Sequence, residues 1–183
     1  MARAGGNRER ALRAALEIAG EQGIRALTHG RVDAVAGLPA GSTSNHFRTR
    51  SALLHATVDQ LAQEERRAFA PAGAPATSEE LVEALAGVVA AASGPHRGLA
   101  AARYAFFAEG VHDPHVRATL ARAREGIEMW TAQTLEGIGV PRPFAAARRV
   151  LTYLDGAILH RLVFGDTGDL RDDLGALVRS CAE

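Results

Sequence analysis

Between Leu27 and Arg50 the chain reads LTHGRVDAVAGLPAGSTSNHFRTR, and this stretch leaves few folds open. Gly37 interrupts a short helical pattern. Pro39 follows where it cannot continue the first helix but can begin a second. Two short helices joined by a tight turn are therefore expected. After the turn comes AGSTSNH, a run of small, hydrogen-bonding side chains that gives a helix little to bury against an apolar core. The run suits a DNA groove. There small residues permit close approach, and Ser, Thr, Asn and His can bond to base edges and phosphate oxygens. The expectation is that Ala40–His46 is the recognition helix of a helix-turn-helix.

Charge supports this reading through its distribution. The 183 residues carry no net charge, with 21 basic and 21 acidic side chains. Residues 1–50 hold 8 arginines against 4 acids, leaving +4, and the remainder is −4. The basic region is the one with the DNA-binding pattern. Every fixed cation is Arg, which in so Ala- and Gly-rich a chain reflects composition rather than a binding role. With 47% hydrophobic and 23% charged residues the chain is globular. No apolar run is long enough to span a bilayer, and MARAGGNRER lacks the apolar core of a secretory signal. The lone cysteine, Cys181, can form neither an internal disulfide nor a cysteine-based metal cage. A cytoplasmic protein is expected.

In chain order, Met1–Asn7 reads as an unstructured basic arm, suited to a phosphate backbone or minor groove. Arg8–Gln22 is helical, with Leu12, Ala15, Leu16 and Ala19 on one face and Gly23 ending it. Thr28 caps a second helix, His29–Ala36, whose apolar face is Val32, Val35 and Ala36. Phe47 anchors the third helix. Thr49 or Ser51 caps a fourth, from Ser51 to about Phe69, with Leu53, Leu54, Val58, Leu61 and Ala62 buried. Ala70–Ser78 reads as a linker. Ser78 then caps a helix with acids in its first turn. Further helices are expected over Leu99–Gly110, Pro114–Gly137 (opened by Asp113 with Pro at its first position), Phe144–Phe164 and, after a turn at Asp166–Asp169, Leu170–Cys181. The stripe of the long Pro114 helix is Val116, Leu120, Ile127, Trp130, Thr134 and Leu135. No strand alternation and no repeat appears. The expectation is an all-α chain of about nine helices, divided into a helix-turn-helix domain over 1–50 and a second domain over 51–183 with 51–69 as connecting helix.

These residues resemble the tetracycline-repressor-like (TetR-type) one-component bacterial regulators. The resemblance is strongest over residues 8–54 and architectural beyond. It rests on the helix ending at Gly23, Thr28 before the second helix, the Val32–Leu38 segment, Ala40-Gly41-Ser42 opening the third helix, His46-Phe47 closing it, and Arg50 with Leu53 and Leu54. Pro39–Thr43 matches the variant Pro-x-Gly-Ser-Thr. There are departures. Asp33 stands where Ala is usual, and Ser44 and Asn45 stand where many members carry a phosphate-holding Tyr, which implies a different operator preference. The resemblance implies that Thr28, Ser42, Ser44, His46 and Arg50 face the phosphate backbone, with Gly41, Thr43 and Asn45 nearest the bases. Asn can pair bidentately with adenine and Thr can offer its methyl to thymine. His29 and Arg31, at the start of the second helix, are further phosphate candidates.

The resemblance also implies a small-molecule effector held between the fourth and eighth helices. Arg103, Phe106, Phe107, Trp130, Gln133, Tyr153 and His160 are the candidate ligand contacts, although aromatics in such helices equally serve as core. Two histidines around Asp113, His112 and His115, have spacing a metal could use, but a helix cap with a surface histidine explains them as well, and neither metal nor cofactor is expected. The overall expectation is a homodimer, paired through its last two helices, that binds a palindromic double-stranded DNA operator as a repressor and is released by an effector. The alternatives are a small all-α enzyme or carrier using the aromatic cavity, which would have no need of Arg8–Arg50, and a regulator answering to a protein partner.

Overall fold

A computed structural model describes residues 2–68, 73–165 and 168–181. Among the described residues there are nine α-helices, one 3-10 turn and no strand. The helices are α1 (Ala2–Glu21), α2 (His29–Ala36), α3 (Ser42–His46), α4 (Arg50–Ala68), α5 (Ser78–Ser93), α6 (Arg97–Gly110), α7 (Pro114–Gly137), α8 (Pro143–Phe164) and α9 (Arg171–Ser180). The chain divides into two compact units: Met1–Ala68 with Gly98–Ala121, and Phe69–Arg97 with Arg122–Glu183. This division differs from a boundary at residue 50. Leu53, Leu54, Val58 and Leu61 of α4, Ala102 and Phe106 of α6, and Val116 of α7 share one core with α1.

In the first unit, α1 buries Ala11, Leu12, Ala15, Leu16, Ile18 and Ala19 along the expected face. Its backbone is helical from Ala2, so the arm expected over Met1–Asn7 is helical over residues 2–7, and Met1 lies outside the described residues. That segment holds no proline to stop the helix, and the Ala and Arg residues favour it against the cost of Gly5 and Gly6. Gly20 marks a close approach. A Cβ there would lie 2.2 Å from the carbonyl oxygen of Gly98, where α6 begins. After α1, Ile24–Ala26 makes a 3-10 turn, and Ile24 and Leu27 fold in beneath it. On α2 the buried face is Val32 with Asp33, and Val35 is exposed. Successive helical residues are about 100° apart. Burying Asp33 beside Val32 rotates the inner face away from Val35.

Other helix ends follow local chemistry. The Thr49 hydroxyl accepts from Ala52 N–H at 3.0 Å as α4 begins. α5 is capped by Thr77, one residue before the expected Ser78: its hydroxyl accepts from Glu80 N–H, and the Glu80 carboxylate accepts from Ala76 N–H at 2.8 Å. That reciprocal pair is close to a capping box, which only Thr77 can complete with Glu80. Asp113 caps α7 ahead of Pro114, accepting from His115 and Val116 N–H. Part of the expected linker, residues 70–72, and residues 166–167 of the expected turn lie outside the described residues.

In the second unit, α5 packs on α8 and α9, burying Leu81, Leu85 and Val89 against Val150, Leu154, Leu174 and Val178. Arg171 links α9 to α5 through Glu83, at 2.6 and 3.1 Å. Arg124 and Asp155 join α7 to α8 at 2.6 Å. The exposed side of α8 is mixed: Arg148, Arg149, Thr152 and His160 lie on it, and large apolar residues are exposed toward its two ends, with Phe144, Leu159, Val163 and Phe164 at 49%, 41%, 63% and 73%. Ile127, expected in the α7 stripe, is also exposed.

Candidate nucleic-acid interface

The turn between α2 and α3 is held from behind. Gly37 ends α2 in the left-handed region at φ 60°, and Leu38 N–H returns to the Asp33 carbonyl at 2.8 Å. Arg10 of α1 donates to the Ala36 and Gly37 carbonyls at 2.7 and 3.1 Å. A cation at a helix C-terminus satisfies exposed carbonyls and complements the dipole. Pro39 and Ala40 precede Gly41, which has φ 86° and N-caps a helix starting at Ser42 rather than at Ala40. Only glycine takes that φ without strain, so the single-turn start of α3 depends on it.

Asp33 organises this turn. Its Oδ2 accepts from Gly41 N–H at 2.8 Å, and its Oδ1 accepts from Thr43 N–H at 2.8 Å and from the Thr43 hydroxyl at 2.5 Å. Asp33 is 4% exposed and Thr43 is fully buried. Burying a carboxylate is costly unless hydrogen bonds replace its water, and here three donors do so. Thr43 was expected nearest the bases. Its burial and its bonds to Asp33 make it part of the frame instead, with no side-chain surface to offer a groove.

The remaining expected contacts fall into two groups. Several hold the turn. Thr28 caps α2, accepting from Arg31 N–H at 3.3 Å. His29 donates from Nε2 to the Phe47 carbonyl at 2.6 Å, which fixes that nitrogen as protonated because a carbonyl can only accept. Ser42 donates to the Pro39 carbonyl at 2.6 Å and Ser44 to the Gly41 carbonyl at 2.9 Å. Arg50 donates to the Ile24 carbonyl at 2.8 Å. Arg31 reaches Gln22 at 3.1 Å from an exposed position. The second group lies outward: Ala40 and Asn45 are exposed and His46 is half-buried. Phe47 is buried as the anchor, with the Arg8 guanidinium 5.4 Å from its ring centre. Sequence reasoning overlooked Arg48, exposed beside Phe47, and the framing roles of Asp33 and Arg10. The signal for Asp33 was present: an acid sat where the resemblance called for Ala.

The candidate ligand contacts divide between the units. In the first, Arg103 donates to Glu65 at 2.7 Å and lies 4.8 Å from the centre of the Phe107 ring. Phe106 is fully buried in the core, so as a lining residue it is corrected to packing. Phe107 borders an open groove of about 450 Å³ with Gly110, Val111, Arg117 and Leu120. In the second unit, Trp130 and Tyr153 are half-buried, and the Tyr153 hydroxyl faces Asp173 at 3.4 Å. Gln133 and His160 are exposed, His160 lying edge-on to Phe164. His115 stacks on His55 with ring centres 4.1 Å apart, and His55 meets Asp113 at 2.8 Å.

Residues 76–183 match the family model described as tetracyclin repressor-like, C-terminal domain. Solved structures align over nearly the whole chain. A member of the TetR family from Streptomyces coelicolor A3 is 27% identical, covering 96% of this chain and 97% of its own, with a TM-score of 0.75. The multidrug binding protein EbrR, complexed with ethidium, is 28% identical over 96% and 98%, with a TM-score of 0.74. A transcriptional regulator from Rhodococcus sp. Rha1 shares the fold at a TM-score of 0.82 over 95% of each chain, with 18% identity. No curated protein matches the sequence.

Proposed function

The chain belongs to the tetracyclin repressor-like family of transcriptional regulators, and from that premise we propose that it represses transcription as a homodimer on a palindromic operator and is released by a small-molecule effector. The observation that carries the DNA-binding part is the framed turn. Asp33 and His29 of α2 hold the two ends of α3, and Arg10 holds the turn before it, while Asn45 and Arg48 are exposed. Asn45 is the base reader in this proposal, with adenine as its natural partner. Arg48, His46 and Arg31 are the phosphate contacts, with Ala40 and Gly41 as the close-approach surface. Thr28, Ser42, Ser44 and Arg50 contribute to phosphate contact only as far as their internal bonds allow.

For dimerisation, α8 supports the expectation better than α9. Leu159, Val163 and Phe164 are exposed near the C-terminal end of α8, whereas α9 turns Leu174 and Val178 inward. Exposed apolar residues of this kind suit burial in a bundle between two copies. Pairing through them would set two reading helices about 34–36 Å apart, one turn of DNA. Effector binding is supported by the similarity to a multidrug binding protein. The groove beside Phe107 and the half-buried Trp130 and Tyr153 are the surfaces carried forward for it. An effector releases DNA only by as much as it prefers one conformation over the other. Among the described residues no helix is long and apolar enough to cross a membrane, and action in the cytoplasm is part of the proposal.

Selection of duplexes from random DNA by the purified chain tests this function directly. Enrichment of a palindrome, bound by two copies and released by compounds from a small-molecule screen, is the expected result. A chain that enriches no sequence would overturn it.

A further inference from the structure

We infer that Asp33 is the positioning residue for operator reading, trading general DNA affinity for sequence discrimination. The inference rests on the proposed reading of α3 as the DNA-contacting helix. It starts from an electrostatic oddity. An anion sits 4% exposed in the most basic part of the chain, on the element that would approach phosphates. Its charge opposes DNA at every sequence alike. What it does in return is geometric.

A helix start normally offers its first N–H groups to an anion. In α3 the N–H groups of Gly41 and Thr43 are already taken by the two oxygens of Asp33, at 2.8 Å each. The Thr43 hydroxyl is bound to the same carboxylate, and both partners are buried. The Ser42 and Ser44 hydroxyls are turned back on the carbonyls of Pro39 and Gly41. The backbone at the start of α3 is thus anchored to α2, and contact with DNA falls to outward side chains. Discrimination between bases requires that Asn45 be presented at a fixed distance and angle, because a bidentate pair tolerates little displacement. The carboxylate fixes the two backbone sites, Gly41 and Thr43, that set where Asn45 points.

The two effects separate in the variants. Asp33→Ala removes an anion from the interface, which favours any DNA. It also orphans two backbone N–H groups and a buried hydroxyl, which loosens the turn. Asp33→Asn keeps one oxygen for the Thr43 donors and loses the acceptor facing Gly41.

The experiment uses the full chain, with the duplex that the wild-type chain enriches and a scrambled duplex of equal length, read by fluorescence anisotropy at one fixed salt concentration. For Asp33→Ala the expected result is about a tenfold to hundredfold loss on the selected duplex, comparable to one mispaired operator base. On the scrambled duplex affinity should be unchanged or higher. Asp33→Asn should fall between wild type and Ala on the selected duplex. A residue with only a folding role would weaken both duplexes together, and that parallel loss overturns the inference. So does an Asp33→Ala chain that keeps its selected-duplex affinity within about threefold. If Asp33→Ala does not fold, Asp33→Asn with Thr43→Val decides: each must lose discrimination with its helical content intact, and retention of discrimination by both is the overturning result. Failure of the wild-type chain to enrich any duplex strikes the proposed function, whereas enrichment with unaffected variants strikes the positioning role alone.

Discussion

Glu65 of α4 and Arg103 of α6 meet at 2.7 Å with side chains only 9% and 12% exposed, so a buried ion pair ties the two helices together. Removing one partner of such a pair leaves the other charge in a poor solvent and typically costs roughly 3–5 kcal/mol, whereas replacing both by apolar residues is often neutral. Arg103→Met is therefore expected to lower stability by about that amount in urea denaturation. Glu65→Leu with Arg103→Met should recover most of it. Equal destabilisation by the single and double variants would show that the pair is not the source.

Gly20 allows α1 to cross the start of α6 at a distance no side chain permits, with the Gly98 carbonyl 2.2 Å from where a Cβ would be. The obstacle is backbone, so it cannot move aside as a flexible side chain would. Gly20→Ala should cost about 1–3 kcal/mol, the usual range for overpacking, despite the better helix propensity of Ala. A raised melting temperature would contradict the crossing.

Asp113 gives the chain a pH dependence of known sign. Its hydrogen bond to His55, followed by the N–H groups of Val116 and His115, holds its carboxyl below the ordinary value, against the opposing effect of burial. His115 stacks on His55 and itself faces Asp59 at 3.7 Å, so these four groups form the local charge environment. A carboxylate lowered on folding stabilises fully above its unfolded pKa of about 4. That contribution is lost as pH falls through the folded value. Asp113→Asn preserves a good N-cap but not the charge. Between pH 6 and about pH 3 the wild-type melting temperature should fall more than that of Asp113→Asn. Parallel curves would remove Asp113 from the account.

If α8 carries the dimer contact, Leu159→Glu places a charge among the exposed apolar residues near its C-terminal end. Sedimentation should then report a monomer of normal helical content. Operator affinity should fall by more than about a hundredfold, because two half-sites are no longer engaged together. A persistent dimer would relocate the contact.

Asn45 and Arg48 should separate by the kind of loss. Asn45→Ala is expected to weaken the selected duplex by about 1–3 kcal/mol and to relax preference at one base position. Arg48→Ala should weaken all duplexes alike and lower the salt slope by about 1. A base preference that survives Asn45→Ala would exclude Asn45 as reader.

Much of the fold was legible because glycine, proline and short polar residues punctuate it. Asp113-Pro114 opened α7 and Gly137 ended it at the expected positions, and Pro143 set the start of α8 within one residue. The all-α architecture followed from 3.6-residue periodicity, which needs no knowledge of distant contacts. The misreadings have the opposite character. Thr43 looked like a base reader because a hydroxyl in a polar run reads as solvated, and only its pairing with Asp33, ten residues away, buries it. Val35 was misplaced for the same reason: the acid beside Val32 had claimed the inner face. Phe106 and Arg103 were expected as ligand contacts from residue type and from the effector region that the resemblance implies; Phe106 fills the core and Arg103 pairs with Glu65, partners that residue type does not reveal. A boundary at residue 50 ignored α4, whose inner face belongs with α1.

The serines of α3 have a consequence for redesign. Their hydroxyls close back onto carbonyls within the turn, and the carboxylate behind them needs nothing from the outer surface. Under the proposed function, positions 40 and 45 are then a removable faceplate on a finished mount. A library varied at those two sites, with Arg48 kept for phosphate contact, can search for new operators while the parts that make the turn fold stay untouched.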